Sequence, residues 1–190
     1  MIYLKFKYLI DRLVALFLIL ILFPMILLVS LLIKLKLGSP IFFTQERPGL
    51  KEKKFLIIKF RSMTNRKDKS GRLLKDQFRL TKFGNWLRET SIDEIPTLIN
   101  ILRGEMSFIG PRPLLVEYLN LYSDYERKRH NVKPGLTGLA QIKGRNSISW
   151  KTKFKYDVFY IQKLSFILDI RIFFMTIFKI LKKEGINSQY

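Results

Sequence analysis

The hydrophobic pattern of the chain is dominated by one uninterrupted block. Between Arg12 and Lys34 lie 21 uncharged residues, Leu13 to Ile33, built from Leu, Ile, Phe, Val, Ala and Met with Pro24 and Ser30 as the exceptions. At about 1.5 Å per residue, a helix of this length just matches the roughly 30 Å hydrocarbon core of a bilayer. No small-residue cleavage site follows, since Lys34, Leu35 and Lys36 come next, so the block reads as a retained segment and not as a secretory signal peptide. Pro24 lies near its middle, where the ring and the missing N–H predict a kink. Basic residues flank both ends, Lys5, Lys7 and Arg12 before the block and Lys34 and Lys36 after it, and such flanks favour the cytoplasmic side. A helix that enters the inner leaflet, bends at Pro24 and returns satisfies both features. A Pro-kinked spanning anchor is the plainer alternative, and the pattern alone leaves both open.

A second apolar stretch, Phe166 to Leu181, is punctuated by Asp169, Arg171 and Lys179. These charges are too frequent for a span, and the pattern fits an amphipathic helix at the membrane interface or a core helix of the soluble part. Between the two stretches, Ile41 to Thr44 and Phe55 to Phe60 are β-prone runs joined by a segment containing Arg47-Pro48-Gly49, which predicts a β-hairpin. Thr64 to Asp76 is polar and aperiodic and predicts a loop. Helices are expected from near Leu80 through Arg88, from Ser91–Pro96 to just before Gly104, from Leu114 to about Arg129, and from Trp150 onwards. Gly110-Pro111-Arg112-Pro113 must be extended or turned, and residues 133–146 form a glycine-rich region.

Composition changes this picture in two ways. The 190 residues contain no Cys and one His, which excludes disulfides, thiolate nucleophiles and Cys- or multi-His-ligated metal sites. With 35 Lys and Arg against 15 Asp and Glu, the net charge is +20. The anionic cytoplasmic leaflet is a natural target for this excess, at about 1 kcal/mol per nearby cation. Nucleic acid is the other candidate, but the cations are dispersed and no common nucleic-acid module signature is present.

Asp93-Glu94 is the one place where two acidic residues adjoin. Ser91-Ile-Asp-Glu94 fits a helix capping box. The same residues, at a helix start, would also suit an anionic nucleophile, Asp93, beside a carboxylate, Glu94, that helps bind Mg²⁺ and a diphosphate. Arg112, stiffened between two prolines, suits a bidentate phosphate contact, though without further context a rigid surface turn is the favoured reading. Lys59, Arg88 and Arg145 could join it. No P-loop, Gly-x-Gly-x-x-Gly or Asp-x-Asp pattern occurs, the nearest approach to the last being Asp124-Tyr125-Glu126.

The run Arg88-Glu-Thr-Ser-Ile-Asp-Glu-Ile-Pro96, continued by Asn100-Ile-Leu-Arg-Gly-Glu-Met-Ser-Phe-Ile-Gly-Pro-Arg-Pro113, closely resembles the bacterial sugar transferase family. More narrowly, it resembles the small monotopic phosphoglycosyl transferases, such as those that initiate bacterial N-linked glycan assembly. Phe43-Thr-Gln-Glu-Arg-Pro-Gly49, Lys59-Phe-Arg-Ser-Met63, Arg79-Leu-Thr-Lys-Phe-Gly84, Lys133-Pro-Gly-Leu-Thr-Gly-Leu-Ala-Gln141 and Gly144-Arg-Asn146 extend the match in order along most of the chain. Thr97, where Gln is frequent, and Phe23, where a small polar residue often precedes the proline, depart from it.

The resemblance implies transfer of a sugar 1-phosphate from a UDP-sugar to polyprenol phosphate with Mg²⁺, giving UMP and a polyprenyl diphosphate sugar. It implies that Asp93 is the nucleophile and Glu94 its catalytic partner, both at the metal. Lys59, Arg88, Arg112, Arg145 and Asp157 become substrate-binding residues. It favours the re-entrant helix and a place on the cytoplasmic face of the bacterial inner membrane. The expected architecture is α/β and helix-rich, one domain overall, with a membrane-associated helix over residues 1–37. Residues 38–190 form the catalytic part, with a small antiparallel hairpin and interfacial amphipathic helices. The rival from another class is a membrane-tethered basic protein that binds nucleic acid or anionic lipid.

Overall fold

The computed structural model describes residues 2–144 and 147–182. Its first element, α1 (Ile2–Leu37), continues through Pro24 as one helix. Proline removes one backbone hydrogen bond, and the turns on either side are held by packing, Leu22 against one core cluster and Met25 and Ile26 against another. One stripe of α1 faces the protein: Lys7, Asp11, Ala15, Val29 and Ile33 are buried, at the near-helical spacing of an amphipathic helix. The opposite stripe, including Leu9, Leu13, Phe17, Leu20, Leu27, Leu31 and Leu35, is exposed. The helix is long and apolar enough to cross a membrane, and only 11% of its most apolar window is buried by protein. So large an apolar face is matched by a lipid neighbour and not by water.

Both ends of α1 touch the rest of the molecule. Near its start, Lys7 pairs with Asp169 at 2.8 Å and the Tyr3 hydroxyl donates to the same carboxylate at 2.6 Å. Asp11 accepts from Ser107 Oγ at 2.6 Å, and the Tyr8 hydroxyl accepts from the Lys133 N–H at 3.0 Å. At its other end, the Arg61 guanidinium donates to the carbonyls of Leu37, Gly38 and Ser39. Free C-terminal carbonyls of a helix need such donors when they are buried.

The hairpin predicted from the sequence forms, with strands longer than expected. β1 (Phe42–Pro48) runs antiparallel to β2 (Lys54–Phe60), in register Phe42↔Phe60 to Pro48↔Lys54. The expected loop follows and is irregular apart from the bridges Met63↔Leu80 and Lys67↔Leu73. The single-turn α2 (Asp76–Arg79) leads into α3 (Lys82–Glu89), whose N-cap Thr81 accepts from the Gly84 N–H at 3.0 Å.

Helix α4 (Thr97–Arg103) stops at Gly104, which takes the left-handed conformation (φ +78°). Its polar face covers the outer edge of β2. Asn100 Oδ1 accepts from the Ile58 N–H at 2.9 Å, and its Nδ2 donates to the Leu56 carbonyl and to Glu105, each at 2.7 Å. Thr97 Oγ1 donates to the Ile58 carbonyl at 3.0 Å. Both side chains are fully buried, so they supply partners that backbone groups at a covered edge cannot obtain from water.

The break expected in the apolar helix at Pro24 does not interrupt α1, and two further findings differ from expectation. A parallel pair, β3 (Ser107–Ile109) with β4 (Gly135–Thr137), was not anticipated, because three residues are too few to display alternation. A Cβ on Gly135 would lie 2.1 Å from the Gly110 nitrogen, so this approach admits only glycine. The continuous helix expected over Leu114–Arg129 is instead a 3₁₀ segment at Val116–Leu121, a single turn α5 (Asp124–Arg127) and a further 3₁₀ turn at Lys128–Asn131. Ser123 interrupts it by capping α5, its backbone N–H donating to Glu126 at 2.9 Å. The chain closes with α6 (Leu139–Lys143), α7 (Trp150–Gln162) capped by Ser149, and α8 (Phe166–Leu181). Asp169 of α8 points inward, also accepting from Tyr160 at 2.8 Å, while Phe166, Phe173, Phe174 and Phe178 are exposed.

Asn100→Ala should cost about 2–4 kcal/mol by leaving buried backbone groups unsatisfied. Thermal unfolding of the detergent-solubilised protein checks this. Lys54→Ala, which removes an exposed 3.8 Å pair with Glu46, should cost less than about 1 kcal/mol.

Candidate active site

Asp93 and Glu94 occupy a 3₁₀ turn, Ile92–Glu94, wedged between α3 and α4. Ser91 reverses the chain there in the left-handed region (φ +57°), and its side chain makes no capping bond. The capping box suggested by Ser91 and Glu94 is therefore absent. Its physical reason is that Glu94 is engaged elsewhere: its Oε1 accepts from Lys59 Nζ at 2.5 Å and from Arg112 Nη2 at 3.1 Å. The capping box among the described residues of this region is instead Ser123 with Glu126.

The side chains that meet here come from separate segments. Lys59 lies near the end of β2, Arg88 in the last turn of α3 and Arg112 on the Pro111–Pro113 turn after β3. Arg88 Nε donates to Ser62 Oγ at 2.8 Å, which aligns its guanidinium beside the acidic pair. Lys59, Arg88 and Arg112 all act electrostatically on Asp93.

The two carboxylates sit in environments that push them apart. Burial raises Asp93 and the neighbouring Glu94 charge adds to it, and together they outweigh the three cations, so its pKa is pushed up to about 6. Burial would raise Glu94 too, but Arg112 and Lys59 outweigh it and hold its pKa down to about 2. Glu94 is thus a permanent anion tied to two cations, and Asp93 is the more basic carboxylate. Pairs tuned in opposite directions mark groups with separate roles.

Both line a cavity of about 1110 Å³, as do Lys59, Arg88, Arg112 and Asp157. That volume suffices for a nucleotide-sized ligand. Asp157 differs from the other expected binding residues: its carboxylate is buried and paired with Arg129 at 2.8 Å. Arg129 also donates to the Arg112 carbonyl at 2.7 Å and to the Tyr122 hydroxyl at 3.2 Å. Asp157 therefore reaches the Arg112 turn through Arg129. Arg145 lies outside the described residues.

Among the described residues, no cluster of three or more His, Asp or Glu side chains is arranged to hold a metal ion. The oxygen-only Asp93–Glu94 pair still fits Mg²⁺ in its usual manner, with one or two carboxylates and the remaining positions filled by phosphate oxygens and water.

Four contributors escaped the sequence reading. Thr97 and Asn100, three residues apart among Leu98, Ile99 and Ile101, were a polar stripe on an apolar helix and could have been flagged by spacing. Arg47 of β1 lines the cavity and interacts with Arg112. Arg129 carried no signal, because one basic residue among 35 has nothing to distinguish it.

Asp93 binds its proton more tightly in the native state than in the unfolded chain, where its value is near 4. The contribution of Asp93 to native-state stability therefore declines as pH rises from about 4 through 6, while that of His130, whose pKa burial lowers to about 4, rises over the same range. Asp93→Asn should raise stability at pH 7.5 by up to about 3 kcal/mol, and this gain should vanish near pH 4. Melting temperatures of both proteins across that range check it.

The sequence model described as bacterial sugar transferase matches residues 2–183. The chain is 51% identical over 182 residues to an uncharacterized sugar transferase, EpsL, of Bacillus subtilis, covering 96% of this chain and 90% of that protein. It is 39% identical to a UDP-glucose:undecaprenyl-phosphate glucose-1-phosphate transferase of Klebsiella pneumoniae, over 92% of this chain and 40% of the longer relative. An exopolysaccharide production protein, ExoY, of Sinorhizobium fredii is 38% identical over 88% of this chain and 81% of its own length.

Proposed function

Because the chain belongs to the bacterial sugar transferase family, we propose that it moves a sugar 1-phosphate from a UDP-sugar to polyprenol phosphate, through a covalent intermediate on Asp93. The observation that carries the reading is Asp93 itself: a largely buried carboxylate with a pKa of about 6, beside Lys59, Arg88 and Arg112, on the wall of a nucleotide-sized cavity. The Klebsiella pneumoniae relative is named for this transfer with glucose and undecaprenyl phosphate.

In the first step, an oxygen of ionised Asp93 attacks the sugar-side phosphorus of the diphosphate. The bond from that phosphorus to the bridging oxygen breaks and UMP leaves with the electron pair. In the second step, a phosphate oxygen of polyprenol phosphate attacks the same phosphorus, the bond to Asp93 breaks and the carboxylate is restored. No general base is needed, because the nucleophile is already an anion at neutral pH. Lys59 and Arg112 balance the charge of Glu94 and bind phosphate oxygens together with Arg88. Mg²⁺, bound by Asp93, Glu94 and the diphosphate, would supply charge neutralisation of the leaving group. Arg145 is assigned to the nucleotide.

The same reading places the enzyme on the cytoplasmic face of the bacterial inner membrane, with α1 re-entrant and α8 interfacial. It is supported by the contacts of α1, which meets protein from Lys7 to Leu37 along one stripe. A helix crossing the bilayer would carry one of those polar contact sets to the far side. The basic residues at both flanks act in the same direction.

Wild-type protein with Mg²⁺, UDP-sugars and undecaprenyl phosphate should release UMP, and without acceptor it should gain the mass of one sugar phosphate. Asp93→Asn should lose at least about 10³-fold in turnover and gain no adduct. Turnover without an adduct, with intersecting initial-rate patterns, would replace this scheme by direct transfer in a ternary complex. The acid limb of kcat/KM should fall about tenfold per pH unit below pH 6, since the deprotonated form of Asp93 is the reactive one. For topology, Lys5→Cys and Lys36→Cys in this Cys-free chain should both be labelled from the cytoplasmic side; labelling from opposite sides would replace re-entry by a span.

A further inference from the structure

The inward face of the hairpin carries a cation that the two transfer steps leave unused. Register places Phe43 opposite Lys59, Gln45 opposite Ile57 and Arg47 opposite Phe55. Residues that oppose each other across a strand pair, or lie two apart along a strand, share one face. Arg47, Gln45 and Lys59 therefore point the same way, and all three line the cavity that holds Asp93. Arg47 Nη2 donates to Gln45 Oε1 at 2.6 Å, which draws the guanidinium back along β1 towards the level of Lys59. Its Nε is buried and, among the described residues, has no hydrogen-bond partner. Arg47, Lys59 and Arg112 also surround a recess of about 100 Å³ that shares these walls with the main cavity. Among the described residues, Glu94 is the one carboxylate on the walls of the recess, and it already accepts from Lys59 and Arg112. Asp93 and Arg88 line the main cavity but not the recess. Burial and the nearby Arg112 charge both work against the charged form of Arg47, and Glu117 works for it. Two guanidiniums turned on one small space repel each other until an anion lies between them.

We propose that Arg47, with Lys59 and Arg112, forms a phosphate-monoester subsite that holds the phosphate of UMP as it leaves and the phosphate of polyprenol phosphate as it arrives. The identity of both ligands rests on the transferase reading. Charge supports the assignment: three cations and one carboxylate leave a surplus of positive charge around the recess, and a phosphate monoester carries about −1.5 to −2 at pH 7. Size supports it too. The recess is well below the roughly 300–1,000 Å³ of a pocket for a whole ligand, so it suits one phosphoryl group and not a base or a sugar. The direction of reaction supplies the rest, because displacement at phosphorus keeps the attacking and leaving oxygens roughly in line. Asp93 attacks from one side, and UMP leaves from the other with the bridging oxygen and its electron pair. In the second step the acceptor's phosphate oxygen forms the new bond to phosphorus as the bond to Asp93 breaks, so it enters opposite Asp93, where the UMP phosphate had been. One monoester site therefore serves both steps. A recess that carries the neighbours of Asp93 on its walls, and not Asp93 itself, has the placement this requires. Arg47 Nε supplies a charge-assisted donor of the kind that phosphate oxygens accept.

The test uses the full chain in lipid nanodiscs with Mg²⁺ and two readouts. The first needs no turnover. Calorimetric titration with UMP should give a Kd about tenfold higher for Arg47→Gln than for the wild type. Lys54→Ala, which removes an exposed cation opposite Pro48 on the same hairpin, should leave that Kd within about twofold. Uridine, which has no phosphate, should bind Arg47→Gln and the wild type alike. An unchanged Kd for UMP, or equal weakening of UMP and uridine as from a displaced hairpin, would overturn the proposal. In the second readout, sugar-phosphate adduct formed without acceptor is freed of nucleotide and then discharged by UMP or by undecaprenyl phosphate in separate mixtures. Both discharges should slow about tenfold in Arg47→Gln. Slowing with UMP alone would make Arg47 a nucleotide contact, slowing with undecaprenyl phosphate alone would make it an acceptor contact, and either result would refute a shared subsite. Arg47→Lys, which keeps the charge and loses the planar fork, should fall between the wild type and Arg47→Gln in both readouts, and it decides the matter if Arg47→Gln does not fold. Absence of adduct on the wild type would count against the transferase reading itself, while the UMP titration still decides the phosphate contact of Arg47.

Discussion

The contact between α4 and the outer edge of β2 is the constraint on which the site depends. Asn100 and Thr97 hydrogen-bond the backbone at Leu56 and Ile58, so α4 is held at a set height along the strand. Glu94 lies three residues before Thr97 and Lys59 directly follows Ile58. Fixing one pair of neighbours brings the other pair within reach, and the 2.5 Å contact between Lys59 and Glu94 follows. Because the fixing groups are fully buried, exchange with water cannot relax them. Arg112 then joins from the β3 turn, and Arg129 holds that turn by its carbonyl.

Glu94 has an effect beyond its own contacts. Three cations around a lone buried Asp93 would hold it as a weakly basic anion. Glu94 absorbs part of their field and adds its own charge, and the result is a carboxylate near 6 that is still ionised at neutral pH. The same arrangement is unfavourable to the folded state, since the raised value reflects burial of a charge that water would solvate better. Strain of this kind at a site, compensated by the satisfied Asn100 contacts elsewhere, is a usual division of labour between function and stability.

The membrane helix is part of this architecture and not an appendage to it. Its inward stripe contributes Ala15 to the cluster containing Phe55, Ile57, Leu98 and Ile101, and Val29 and Ile33 to the cluster containing Phe60 and Leu87. The first cluster underlies α4 and the second underlies the α3 end that carries Arg88. Outward-facing apolar residues and apolar residues facing the site's scaffold therefore alternate around one helix, which ties the orientation of the outward face to the position of the carboxylates.

By itself the sequence determined what local rules can determine: the apolar segment and its basic flanks, the hairpin, the stop at Gly104, the α7 start, and the acidic pair, whose companions Lys59, Arg88 and Arg112 came only from the family resemblance. Each rests on periodicity, turn chemistry or residue type within a short window. Tertiary structure decided where side chains went when two partners competed. Glu94 had a local option in Ser91 and took two cations 35 and 18 residues away, because charge-assisted bonds in a buried site outweigh a cap at a helix end. It also decided that Asp157 faces Arg129, that Asp169 turns inward to Lys7 and that two three-residue strands pair in parallel. These outcomes depend on groups brought together only by packing, and a window along the chain holds no record of which distant group will arrive.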